Sequence, residues 1–166
     1  GRAQLTRDTC RRGEAWSWDG VGFRWVHPGD VRYQRDNDSS CVLRVSAGGH
    51  AALVTGDIEA EAERDMAREG ALAAVDIVVV PHHGSRTSST QDFVTASRPR
   101  WAVYAVGYRN RWNFPVQRVV ERWEQAGARG VRTSASGAIT FELAPGRVLA
   151  QPIEWRREHP RPWRDP

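Results

Sequence analysis

The first third of the chain alternates apolar and polar residues with a period of two. Gly13-Glu14-Ala15-Trp16-Ser17-Trp18 alternates, Asp19-Gly20 interrupts, and Val21-Gly22-Phe23-Arg24-Trp25-Val26 alternates again. Two such runs around Asp-Gly predict a β-hairpin. His27-Pro28-Gly29-Asp30 closes its second strand with turn residues. After a polar loop over residues 33–39, two further strands are predicted over 40–45 and 51–55, joined by a turn at Gly48-Gly49.

The period then changes. Residues 58–69 are rich in Glu, Ala, Arg and Met, all good helix formers. Asp57 is placed to cap this helix, the dipole favours Glu59, Glu61 and Glu63 in its first turns, and Gly70 ends it. Residues 75–80 predict a buried strand stopped by Pro81, and 82–90 a loop of Gly, Ser and Thr. A short helix over 91–97, a strand over 101–106, a loop over 107–115 and a helix over 116–126 follow, closed by Gly127. Strands over 131–134 and 138–143 flank a turn at Gly137. Strands first and strand–helix alternation afterwards predict a layered α/β fold. Residues 144–166, rich in Pro and Arg, predict a weakly ordered tail.

Composition narrows the class. A chain of 166 residues, 40% hydrophobic and 27% charged, suits one domain or a large piece of one, with a buried core. The longest apolar run, 75–81, is broken by Asp76 and falls far short of the roughly 20 residues of a membrane span. The chain opens Gly1-Arg2-Ala3-Gln4 without Met, as a fragment would, so its lack of a targeting signal carries little weight. All 24 basic residues are arginine, against 20 acidic ones; a net +4 is a weak nucleic-acid signal. The eight tryptophans imply either an aromatic core or an exposed stacking surface. Cys10 and Cys41 are too far apart for a local metal knuckle, and form either one disulfide or two free thiols.

Three polar clusters follow predicted strands: Thr55-Gly56-Asp57, Pro81-His82-His83-Gly84-Ser85 and Gly107-Tyr108-Arg109-Asn110. Strand ends are where α/β folds build sites. Asp57 offers a hard oxygen that can bridge two cations, and His82 and His83 offer neutral nitrogens suited to zinc or manganese. Two such ions would polarise a scissile ester and activate water. One carboxylate and two imidazoles do not fill a two-metal shell. His27, before Pro28, and His159 read as solvated, and His50 as a turn residue.

These motifs resemble, in order, a known family. Val54-Thr55-Gly56-Asp57-Ile58-Glu59 with Glu63, Val80-Pro81-His82-His83-Gly84-Ser85-Arg86-Thr87-Ser88-Ser89 and Val106-Gly107-Tyr108-Arg109-Asn110-Arg111 look like the metallo-β-lactamase-type domain of ComEC-family DNA-uptake proteins. Asn37-Asp38-Ser39-Ser40-Cys41-Val42-Leu43-Arg44 and Arg132-Thr133 with Gly137-Ala138-Ile139 extend the likeness.

The resemblance implies an αββα sandwich with two divalent ions, zinc or manganese, between its sheets. The family's amino-terminal His-x-Asp-x-Asp-His type element is not found here, so residues 1–143 resemble the carboxy-terminal half, a mixed sheet flanked by helices. Asp57 would then be a bridging ligand, and His82 or His83 a second. Gly84 would let the loop approach the ions, and Ser85 would hold an imidazole or contact phosphate. Arg86, Arg109, Asn110, Arg111 and Trp112 would contact DNA. Trp112 would stack a base or else fill the core.

Phe114 stands where many relatives carry a metal-binding His before Pro115. The implied parent is a bacterial inner-membrane DNA channel, with this domain on the periplasmic side as a metal-dependent DNA phosphodiesterase. A non-catalytic DNA-guiding module and a hydrolase of another ester are the alternatives. The implied partners are DNA, the channel domain of the same polypeptide and the missing amino-terminal half.

Overall fold

Described over residues 9–160, the computed structural model forms the predicted hairpin from β1 (Ala15–Trp18) and β2 (Val21–His27). β3 (Val42–Ala47) and β4 (His50–Val54) continue it as an antiparallel meander. From β4 onward the connections are helical and the strands parallel, as the change of period demands. α1 (Ala60–Arg68) leads to β5 (Ile77–Val79), α2 (Gln91–Ser97) to β6 (Trp101–Tyr104), and α3 (Gln117–Gln125) to β7 (Arg129–Arg132). The result is a mixed α/β structure with one seven-stranded sheet in the order β1 to β7. Among the described residues no helix is long and apolar enough to cross a membrane.

The two faces of the sheet are dressed differently. Leu53, Val78, Ala102 and Tyr104 face the helices and pack with Ile58, Met66, Phe93 and Trp123 into the main core. On the other face Ile77, Trp101 and Val131 are covered by the chain's own later segment, through Ile139, Phe141, Leu143 and Leu149. That cover reaches the β3–β4 end of the meander, where Ala52 packs with it and His50 bonds the Arg147 carbonyl. Pairing places Trp16 opposite Phe23 and Trp25 opposite Leu43, so these side chains share a face. There Trp16 and Trp18 are 44% and 77% exposed. The described tryptophans therefore divide: Trp123 and Trp101 are core, whereas Trp16 and Trp18 are surface.

Three expectations are corrected. Residues 133–136 form a helical turn, α4 (Thr133–Ser136), instead of extending a strand. The Thr133 hydroxyl accepts from Val106 N–H at 2.8 Å and sits 2.8 Å from the Val106 carbonyl, so the chain turns back towards β6. Only Ile139–Thr140 of the following segment is a strand, β8, and it pairs with β9 (Ile153–Glu154) in a separate two-stranded sheet. Second, Asp57 does not cap α1. Asp38 does, from the polar loop: its Oδ1 accepts from Glu59 N–H at 2.7 Å and Ala62 N–H at 3.2 Å.

Third, His27 is buried, with Nε2 2.6 Å from the Asp38 carbonyl, and burial lowers its pKa. His50 lies between the Arg147 carbonyl (2.7 Å) and the Asp76 carboxylate (3.3 Å), and that carbonyl bond, then Asp76, raises its pKa.

Cys10 and Cys41 are joined by a disulfide, which decides between the two readings. Of the carboxy-terminal segment, residues 161–166 lie outside the described residues; within 144–160, Leu149 is buried and Trp155–Glu158 forms a last helical turn, α5.

Candidate functional site

Because β4, β5 and β6 are parallel neighbours, the three polar clusters that follow them emerge along one edge of the sheet. Backbone bonds tie them together. His82 N–H donates to the Gly56 carbonyl (3.1 Å), and Val116 N–H to the Gly84 carbonyl (2.9 Å). His82, His83 and Gly84 all have positive φ (47°, 57° and 84°), the left-handed region that non-glycine residues rarely occupy. A Cβ on Gly84 would lie 2.6 Å from Cβ of Pro115, so only glycine lets the loops approach this closely.

This turn sends the two histidines in different directions. His83 Nδ1 lies 2.8 Å from the Ala105 carbonyl, and a carbonyl only accepts, so Nδ1 carries the proton. Nε2 is left to face Asp57, 3.5 Å from its Oδ1, with both side chains nearly half-exposed. An imidazole whose far nitrogen is anchored on a backbone carbonyl is the usual arrangement of a metal-ligating histidine.

His82 turns inward instead. Its Nδ1 is 3.2 Å from Glu59 Oε1 and 3.5 Å from the Thr87 hydroxyl, and its ring meets Phe114 edge-on at 5.9 Å. Glu59 in turn accepts from Arg35 and from Asn37 Nδ2 (3.2 Å). Burial works against the Glu59 charge, but the bonds from Arg35 and Asn37 outweigh it and hold the carboxyl below its usual range.

Of the candidate ligands, Asp57 and His83 therefore come together, and His82 joins a buried-edge network with Glu59. Asp57 and His83 fit a divalent ion as one oxygen and one nitrogen donor. A zinc site takes three or four protein donors. Among the described residues no group of three or more His, Cys, Asp or Glu side chains is arranged to hold a metal. Ser85 is buried and its hydroxyl pairs with Thr87 (3.0 Å), not with an imidazole.

The remaining candidates form the rim. Arg86, Arg109, Arg111 and Trp112 are exposed. Asn110 is engaged within its own loop: Nδ2 donates to the Phe114 carbonyl (2.8 Å) and Oδ1 accepts from Phe114 N–H (2.9 Å). Residue type alone assigns no site role to Glu59, Arg35 or Asn37. The signal was present in Glu59, two residues from Asp57 and therefore on the same turn.

A mixed-sheet α/β domain with this strand-end pair has relatives among proteins named for competence. No protein-family model matches the chain. It is 41% identical over 139 residues to Competence protein ComA of Neisseria gonorrhoeae, covering 83% of this chain and 20% of that protein. It is 34% identical over 145 residues to Recombination protein 2 of Haemophilus influenzae, covering 87% and 18%. ComE operon protein 3 of Bacillus subtilis is 29% identical over 134 residues, covering 81% and 17%. The chain thus spans about a fifth of the length of the curated relatives it matches.

Proposed function

We propose that this chain is a portion of a larger DNA-uptake protein, in which Asp57 and His83 form one side of a divalent-metal site for phosphodiester hydrolysis. The observation that carries this reading is the His83 ring, anchored through Nδ1 on Ala105 with Nε2 facing Asp57. Zinc or manganese bound there would polarise the phosphate and acidify water.

The chain's own residues do the rest. Asp57 and His83 would hold the ion, and the remaining donors would come from an amino-terminal half in the sandwich that the sequence resembles. The aromatic face of Trp16, Trp18, Phe23 and Trp25 is where such a half would pack. The Glu59–His82 network fixes the loop that carries His83. Arg86, Arg109 and Arg111 supply cations for the DNA backbone. A channel domain of the same polypeptide would sit in the inner membrane with this domain on the periplasmic side, an oxidising compartment that suits the Cys10–Cys41 disulfide.

The test is cleavage of labelled DNA by the full-length parent with added manganese or zinc. Asp57→Asn and His83→Gln should each lower the rate by about 100-fold or more while leaving DNA affinity within about twofold. Undiminished cleavage by Asp57→Asn would overturn the assignment.

A second reading, a non-catalytic DNA guide, is favoured by Phe114. Its ring packs against His82 where the resembled family carries a His. Salt-sensitive DNA binding by the parent without cleavage under either metal would establish that reading instead.

A further inference from the structure

We infer that Trp112 acts through Arg111: the indole holds the guanidinium out as a phosphate clamp and is not a platform for a base. This rests on the DNA-contact reading above. Trp112 is 60% exposed, so it does not fill the core. The Arg111 guanidinium carbon lies over its ring, 4.3 Å from the centroid. The Phe114 ring runs nearly parallel to the indole, at 14° with centroids 6.4 Å apart. Phe114 is itself fixed, because Asn110 bonds its backbone N–H and carbonyl together. The order of support is Asn110, Phe114, Trp112, Arg111.

A guanidinium whose carbon sits over a ring is held there by the ring's charge distribution, and its five N–H donors are more than that contact can occupy, which leaves donors for phosphate oxygens. Its rotamer freedom is also reduced before any ligand arrives, which lowers the entropic cost of binding. The same device stands two residues earlier, where Arg109 lies over Tyr108 at 5.1 Å. The loop therefore presents two supported cations. It grips the sugar–phosphate backbone irrespective of base identity.

The experiment measures binding of the full-length parent, without added metal, to a fluorescent single strand and to the same strand with abasic sites throughout. Arg111→Ala and Trp112→Ala should each weaken binding by about three- to tenfold. The double variant should be no weaker than Arg111→Ala alone, and Trp112→Phe should restore most of the affinity. The Trp112→Ala loss should be the same on the abasic strand. If that loss vanishes on the abasic strand and the two single losses add, Trp112 is a base platform and the inference falls. If the wild type shows no salt-dependent affinity for either strand, the DNA-contact reading falls with it.

Discussion

At the scale of single residues, the turn Pro81–Gly84 shows how backbone strain decides side-chain fate. Two consecutive histidines in the left-handed region point apart, one to a carbonyl and Asp57, the other to Glu59. Nothing in the string His-His-Gly-Ser says which does which, because the sorting depends on φ values imposed by contacts from the β6–α3 loop. Gly84 is the point where that loop presses in. Gly84→Ala should destabilise the protein by about 2–4 kcal/mol, from left-handed strain plus the clash with Pro115. A fall in the urea midpoint with unchanged slope would show it; an unchanged midpoint would mean that Pro115 can move aside. Asn110 illustrates the opposite limit of legibility. An Asn in a glycine-led loop reads equally as a ligand contact or a turn residue, and only the partners of its amide, both on Phe114, show its role in the loop.

At the scale of elements, what was legible is what periodicity encodes. The hairpin, the meander and the three crossover helices lie close to where the pattern places them. The capping of α1 was not legible, since its acceptor, Asp38, lies about twenty residues away and Asp57 has the ordinary cap position only for a helix starting at Ile58, two residues before α1 begins.

The sequence pattern places Glu63 only among the first-turn acids that the helix dipole favours. It is fully buried, and its carboxylate accepts from Ser89 N–H (2.5 Å) and Thr90 N–H (2.6 Å), joining α1 to the start of α2. Burial pushes this carboxyl up to about 7 from an ordinary 4.5, against the opposing pull of the Thr90 and Ser89 amides, with the Asp38 charge adding a little. The native state therefore binds this proton more tightly than the unfolded chain does. The stability contributed is fully present below about pH 4.5 and is lost as pH rises through about 7. Urea midpoints measured across that window should fall with pH in the wild type and fall less in Glu63→Gln. Equal slopes in both proteins would place the carboxyl at an ordinary pKa.

At the scale of the molecule, the site depends on a loop far from it in sequence. The polar segment between β2 and β3 supplies Arg35 and Asn37 to Glu59, Asp38 to α1, and Ser40, whose hydroxyl accepts from Asp57 N–H at 3.3 Å. Its far end is tied to the start of the hairpin by Cys10–Cys41, across a separation of 31 residues. A cross-link of that span is worth about 3–4 kcal/mol on the chain-entropy account. Reduction, or Cys10→Ser with Cys41→Ser, should lower the thermal midpoint accordingly, by several degrees or more. On the proposed reading, metal-dependent cleavage by the parent should weaken in step, because Asp57 and Glu59 both lean on that loop. A midpoint unchanged by reduction would show that packing alone holds the segment.

The split character of the sheet has a consequence for the order in which the chain assembles. The antiparallel half, β1 to β4, is made of neighbours in sequence, and both cysteines lie within or beside it. The parallel half pairs strands separated by whole helices, so its loops close later and more slowly. The Asp57 loop is the seam between the two, and the His83 loop belongs wholly to the second. During synthesis or refolding, the disulfide-linked meander can stand before the two halves of the site meet. On that topology the Asp57–His83 contact is expected to form late, and protection of the backbone amides of residues 54–57 and 80–84 in pulse-labelled refolding would check it.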